Sequence, residues 1–325
     1  MKVCHISTVH KATDDRIFYK ECISLAKAGY DVSFVVKGER NQIMEAVNII
    51  AIPEYKKRFV RFIVGSFIAF SKALKTKAKL YHLHDPELIP IGLILKLTGK
   101  KVIYDMHEFV IRQIDDKLCV KNSFIKKFFI NIYRVFEKLA FRYFDGIVFA
   151  VEGQMKYAKN KFPLYFHKTV VLNNYPVLSY IKNISPFKKE NEKFIVVYAG
   201  GLSRIRGIKE LIQAVELTNE NTELWLIGAF EDNDFYKECL TLKGWNKTKF
   251  WGYHPLQEVY KYIAAADIGI ALLYPMKNYL ESCPVKSFEY MALGKAVIMS
   301  DFPYWKETYK DIAIFINPYQ PKEIA

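Results

Sequence analysis

Residues 2–36 read KVCHISTVHKATDDRIFYKECISLAKAGYDVSFVV, and this stretch decides the fold. VCHIS is a short apolar run of the kind buried in a sheet, RIFYKECISLAKAGY carries apolar side chains at helical spacing, and DVSFVV is strand-like again. Strand, helix and strand in that order form the unit of a parallel sheet covered by helices. The alternation continues through LYHLHD, KVIYDMHE and GIVFAV. A second series starts at FIVVYAG, where Ile208, Leu211, Ile212 and Val215 mark one face of the next helix, and runs on through ELWLIG, DIGIALL, AVIMS and IAIFINP. Between the two series, residues 176–193 hold two prolines, no periodicity and a charged end, which reads as a linker. The expected organisation is α/β: two doubly wound, Rossmann-like domains at 1–180 and 194–325, joined at 181–193. Such folds bind ligands outside the C-terminal ends of their strands. The active site is therefore expected in a cleft between the domains.

Composition narrows the class. A chain of 325 residues suits two domains of ordinary size, and 51% hydrophobic residues with only 15 glycines and 12 prolines excludes disorder. Cys4, Cys22, Cys119, Cys239 and Cys283 are scattered without a C-x-x-C pair, which points to a reducing compartment rather than a disulfide frame or zinc site. No secretory signal precedes the first strand, and no apolar run reaches the ~18 residues of a membrane span. A cytoplasmic protein is expected. The net charge of +14 is uneven: residues 1–200 hold 34 Lys+Arg against 18 Asp+Glu, and residues 201–325 hold 14 against 16. A basic first half suits an anionic partner. Residues 117–144 combine seven Lys/Arg with eight Phe/Tyr at largely helical spacing, and residues 56–79 are similar. Both predict a peripheral enzyme on the anionic inner face of the cell membrane. No nucleic-acid-reading module accompanies the basic residues, which argues against nucleic acid.

The chemistry concentrates in NYLESCPVKSFEYMALGKAVIMSDFP, residues 278–303. Seven residues separate Glu281 from Glu289, and Pro284 opens a helix that runs through Tyr290 and Met291 to a left-handed cap at Gly294. Free backbone N–H groups at such a helix start, aided by the dipole, seat an anion such as a diphosphate. A ligand seated there carries hydroxyls to both carboxylates, which describes a nucleotide-sugar. The dipole alone also favours glutamate early in a helix, so the surrounding motifs carry much of the weight.

Those motifs are HKATDDRIFYKE (10–21), HDPELIP (84–90), YDMHE (104–108) and YAGGLSRIRGIKELI (198–212). Together with the two-glutamate segment, and in this order, they resemble the retaining glycosyltransferases of the GT-B fold numbered family four, of the bacterial surface-polysaccharide type. The resemblance implies that Glu281 contacts the donor sugar and Glu289 the ribose, while main-chain N–H groups around Cys283, Pro284 and Val285, with Lys286, hold sugar or diphosphate. Gly200 and Gly201 let backbone approach the ligand, and Arg206 sits at the position of a diphosphate-binding cation. Many members carry arginine where this chain has Gly201, and Arg204 is expected to replace that charge. His107 falls beside the donor sugar, which makes His107, Glu281 and Arg206 the expected catalytic set. His10, Asp14 and Arg16 match an H-x3-D-x-R-I variant of the first loop. With Asp85 they are assigned to the cleft, donor or acceptor side left open. Tyr253 in FWGYH, with LIGAF (226–230), edges the base pocket, and uridine is the preferred base.

The implied reaction moves a hexose-type sugar from a nucleoside diphosphate sugar to a hydroxyl of a glycan or polyprenyl-linked acceptor, in lipopolysaccharide or capsule synthesis. A nucleotide-sugar epimerase and a non-catalytic nucleotide-sugar-binding protein are the alternatives. Cations aimed at the leaving diphosphate stabilise its charge, so no obligatory metal is expected. His82, His84, Asp105 and His107 lie at the ends of two candidate strands and offer a rival metal site. Their spacing is not diagnostic, and the resemblance explains them without an ion. The chain stops at PKEIA, whereas relatives continue with further helices, so the second domain is expected to lack its final ones.

Overall fold

The computed structural model describes residues 1–107, 110–111, 123–189, 192–276, 279–280 and 282–325. Glu281, Cys119 and the first part of the basic stretch at 117–144 lie outside the described residues. The chain forms two compact units, Met1–Asn174 and Tyr175–Ala325.

In the first unit the described residues form an eight-stranded sheet. Its strands are β1 (Lys2–Lys11), β2 (Asp31–Lys37), β3 (Gln42–Met44), β4 (Val47–Ile52), β5 (Leu80–Leu83), β6 (Lys101–Met106), β7 (Gly146–Phe149) and β8 (Thr169–Val171), in the order β3-β4-β2-β1-β5-β6-β7-β8. All neighbours are parallel except the β3–β4 hairpin. β1 is buried almost continuously from Val3 to Thr8, as a central strand covered on both faces must be. One apolar cluster lies around Ile6, Leu83, Tyr104, Phe141 and Phe149, and another around Phe18, Ile23, Phe34 and Ile49.

The second unit carries β9 (Phe194–Ala199), β10 (Thr222–Ile227), β11 (Thr248–Gly252), β12 (Ile268–Ala271), β13 (Ala296–Ser300) and β14 (Ile314–Ile316). They are parallel throughout, in the order β11-β10-β9-β12-β13-β14. Numbered within the unit this is 3-2-1-4-5-6, the dinucleotide-binding order whose ligand crevice opens where the winding reverses. That switch lies between β9 and β12 in the second unit, and between β1 and β5 in the first.

The stretch read as a linker behaves differently. Leu178–Ile181 is a short helix, Phe187 donates its backbone N–H to Lys261 at 3.0 Å, and its ring stacks on Tyr262 and meets Trp225 and Trp251 edge-on. Prolines without periodicity conceal a segment anchored by one aromatic side chain in the core of the second unit.

Candidate functional site

At the switch point of the second unit, β9 and β12 pair only through Val196 with Ile268 and Val197 with Gly269, and then part. The helix Val285–Ala292 closes the fork. Its Tyr290 is fully buried; the phenol oxygen accepts from the Ala199 N–H at 3.0 Å and donates to the Ile270 carbonyl at 3.3 Å, so one hydroxyl bridges both strands. Gly269 makes the approach possible, because a Cβ there would lie 2.3 Å from the Tyr290 ring. The helix begins after Pro284 and ends as the spacing predicts: Gly294 has φ +69°, and Gly294 and Lys295 donate back to Met291 and Tyr290.

The fork is lined by cations. A Cβ on Gly200 would lie 3.0 Å from Lys286 Nζ and 3.3 Å from an Arg206 guanidinium nitrogen, and one on Gly201 would lie 3.5 Å from the same arginine. Both cations therefore stand against the glycine backbone at the end of β9. Lys286 is held over the Tyr198 ring at 3.6 Å, and its Nζ makes no hydrogen bond among the described residues. Burial, with Arg206 beside it, pushes this amine well below the usual lysine range. Arg204 is elsewhere. It is ion-paired to Glu231, Asp232 and Glu238 at 3.1–3.3 Å and lies over the Phe235 ring. The place expected for Arg204 at the glycine loop is taken in this structure by the Lys286 amine, one helical turn before Glu289.

Glu289 is buried at 8% exposure and accepts from the Tyr260 hydroxyl at 3.2 Å. Lys286 and Glu289 are three residues apart and share a helix face. Cys283 is half-buried, its Sγ 3.7 Å from the Tyr304 hydroxyl. Tyr253 is exposed just beyond β11, next to Gly252, whose carbonyl accepts from Gly228. Gly228 in turn meets the Gly200 carbonyl so closely that any side chain would collide with it. The segments read as edges of a base pocket thus come together with the glycine loop at the ends of β9, β10 and β11.

The first unit presents a polar cluster at its own switch point. Asp14 accepts from the backbone N–H groups of Arg16 and Ile17 and pairs with His10 at 2.8 Å. Burial opposes its ionisation, but these hydrogen bonds hold its carboxyl down at about 2. It caps the turn Ile17–Cys22, a wide π-helical turn that continues as the helix Ile23–Lys27. Arg16 is buried; it grips Asp105 with two nitrogens, at 2.9 and 3.1 Å, and donates to the Leu172 carbonyl at 2.7 Å. Asp85 accepts from Ser7 at 2.9 Å and the Thr8 N–H at 2.6 Å, fixing the end of β1. Asp14, Arg16 and Asp85 therefore hold the loop in shape, while His10 and His107 are its part-exposed rings, edge to face at 5.2 Å.

Beneath them, His5 and Glu21 join His82, His84 and Asp105, three of the residues read from the sequence as a rival metal site. His5, Glu21, His82 and His84 are all buried, and with Asp105 they form a continuous polar seam. Burial and the Asp105 charge push the Glu21 carboxyl well up. Burial and the neighbouring imidazoles push His5 well down. Asp105 is held well down despite burial, by His84, His107 and Arg16. His82, His84 and Asp105 are visible in the sequence at the ends of two candidate strands, and for His5 the signal is a polar residue at the centre of the apolar strand VCHIS.

Residues 180–325 match the model of the family described as glycosyl transferases group 1. No curated protein matches the chain in sequence. Among solved structures, sucrose-phosphate synthase from Thermosynechococcus elongatus is similar at a TM-score of 0.74 with 16% identity, over 99% of this chain and 87% of that one. HepE from Anabaena in complex with UDP-glucose follows at 0.71 with 15% identity, over 100% and 88%. A glycosyltransferase from Rickettsia africae is similar at 0.68 with 15% identity, over 100% and 86%. The fold is GT-B. At these identities the likeness establishes architecture, and in the matched part of the chain the family model adds a glycosyl transferases group 1 domain.

Proposed function

We infer that this chain is a retaining glycosyltransferase that moves a hexose-type sugar from a nucleoside diphosphate donor to a hydroxyl of a glycan or lipid-linked acceptor in surface polysaccharide synthesis. The observation that carries this reading is the convergence of Arg206 and Lys286 on the Gly200–Gly201 backbone, at the head of the helix that bears Glu289. The Arg206 cation and a buried lysine amine, whose charge a diphosphate would favour, fit such a ligand against exposed backbone. A buried carboxylate one turn further on fits the paired hydroxyls of a ribose. The solved structure of HepE with UDP-glucose, and an Escherichia coli trehalose-6-phosphate protein bound with UDP-2-fluoro glucose at a TM-score of 0.68, favour uridine as the base.

In the proposed reaction the bond from the sugar anomeric carbon to the diphosphate oxygen breaks, and the acceptor oxygen bonds that carbon on the same face. The acceptor proton passes to the departing phosphate oxygen. Arg206 and Lys286 stabilise the charge that gathers on the leaving diphosphate. His107 hydrogen-bonds a sugar hydroxyl or orients the acceptor, and Glu281 contacts the donor sugar.

The lipid-facing part of the reading rests on two helical segments of the first unit. No Asp or Glu occurs between Glu54 and Asp85, where eight Lys/Arg accumulate. In that interval Phe59, Phe62, Ile63, Val64 and Phe67 are exposed. The helix Ser123–Tyr143 likewise exposes Phe128, Phe129, Ile132 and Val135 among basic residues. Exposed aromatics with cations and no acids suit an anionic lipid surface. No helix among the described residues is long and apolar enough to cross a membrane.

Isothermal titration with UDP-sugars, and transfer assays on Glu289→Ala and Arg206→Ala, test the core of this reading. Both variants are expected to fold and to lose donor binding or transfer. Full activity in both would overturn it.

A further inference from the structure

We propose that His5, Glu21, His82 and His84 form a closed, structural site for a first-row divalent metal ion, zinc being the simplest occupant. The argument starts from register. His5 on β1 pairs directly with His82 on β5, and His84 follows His82 by two residues, so the strands stack three imidazoles on one sheet face. Their ring centroids are 4.6–5.1 Å apart. Glu21 reaches them from the wide turn Ile17–Cys22.

The distances favour an ion over a hydrogen-bonded cluster. Glu21 Oε2 stands 3.9 Å from His5 Nδ1, 3.8 Å from His82 Nδ1 and 3.8 Å from His84 Nε2, while its Oε1 stands 3.1 Å from Arg16 Nε. The three imidazole separations exceed hydrogen-bond reach. Only His5 Nδ1 and His84 Nε2 meet, at 2.8 Å. A tetrahedral zinc with bonds of about 2.0–2.2 Å sets its ligand atoms roughly 3.3–3.5 Å apart. The Glu21 separations lie above that value and the His5–His84 separation below it, and all four donor atoms lie within 4.8 Å of one another, so binding would draw them together around one ion.

The surroundings fit as well. Asp105 accepts from His84 Nδ1 at 3.3 Å, which leaves Nε2 as the ligand nitrogen, the usual carboxylate–histidine arrangement behind a bound metal. Arg16 holds the outer oxygen of Glu21 at 3.1 Å and also grips Asp105. Three nitrogens and one oxygen suit zinc or a neighbouring transition metal better than magnesium or calcium. All four residues are buried, at 0–7% exposure, so the site has no open position for substrate and ties β1, β5 and the first helical turn together. His107 and Asp105 stand nearby with His84 as a second possible group.

The test uses the full chain, purified without metal-affinity steps, stripped with chelator and titrated with Zn2+ and Co2+. The site predicts one equivalent bound per chain, visible Co2+ bands of tetrahedral form without thiolate charge transfer, and a melting temperature raised by zinc. His84→Ala should abolish binding, and His107→Ala should leave the stoichiometry unchanged. No uptake by the wild type would overturn the proposal, and that result does not depend on any variant folding. Thiolate bands, or binding retained by His84→Ala, would overturn it too. None of these readouts requires the glycosyltransferase reading.

Discussion

The Lys286 ammonium position lies 3.6 Å above the ring of Tyr198, fully enclosed and without a hydrogen bond among the described residues. An amine kept in that state destabilises the folded chain, because burial opposes its charge and a single aromatic face compensates only in part. Lys286→Met should therefore stabilise the protein by about 1–3 kcal/mol in urea denaturation at neutral pH. The same change should weaken UDP binding by about tenfold or more. A variant that loses stability, or binds UDP as tightly as the wild type, contradicts this role for Lys286.

Arg204 and Arg206 are two residues apart, yet their side chains meet different partners. Arg206→Ala is expected to reduce donor affinity by about tenfold or more, as loss of a charged hydrogen-bond donor does. Arg204→Ala should leave donor affinity unchanged, since three surface carboxylates occupy its guanidinium. Equal losses in the two variants, measured by titration calorimetry, would show that the loop rearranges on binding.

Glu137 sits at 1% exposure and accepts from the Tyr157 hydroxyl at 2.9 Å. Burial lifts its carboxyl from 4.5 to about 7, and the tyrosine hydrogen bond only partly offsets that rise. The folded state holds the proton more tightly than the unfolded chain. Its contribution to stability is therefore complete below the unfolded value and is lost as pH rises through about 7. The span corresponds to roughly 3 kcal/mol at most. Unfolding free energy measured from pH 5 to pH 8 should decline more steeply in the wild type than in Glu137→Gln. Parallel curves would remove Glu137 from the explanation.

Vesicle co-sedimentation addresses the basic aromatic segment. The protein should bind phosphatidylglycerol vesicles and not neutral phosphatidylcholine ones, and added salt should weaken binding. Phe59→Ser combined with Phe67→Ser removes two rings exposed at 76% and 69% and should lower vesicle affinity by about tenfold or more while sparing the fold. Unchanged affinity would place the lipid contact elsewhere or nowhere.

Much of this architecture was legible because it is local. The apolar run of β1, the following helix and β2 follow from periodicity, and the helix Val285–Ala292 with its Gly294 cap follows from proline and glycine placement. What escaped depends on contacts distant in sequence. His5 meets His82 only because β1 and β5 are neighbours across a switch of winding, a fact of strand order that no local spacing encodes. Arg204 was expected at the glycine loop because charge type is visible in a sequence and side-chain direction is not. Phe187 shows the same limit in a segment whose prolines looked like punctuation and whose single aromatic ring holds it in place. For the candidate site, Arg206, Lys286 and Glu289 were legible as a set, and their division between the glycine backbone and the Tyr260 hydroxyl was not.

The Tyr290 hydroxyl makes the fork between β9 and β12 a mechanical joint. A force that shifts the helix head cannot be absorbed by a loop, because the same helix is fastened to two strands that have already separated, to the Ala199 amide that ends β9 and to the Ile270 carbonyl of β12. Occupation of the head should accordingly be felt within the sheet. The Ala199 amide, bonded to a side chain rather than to a neighbouring strand, is the natural gauge of that strain in hydrogen exchange.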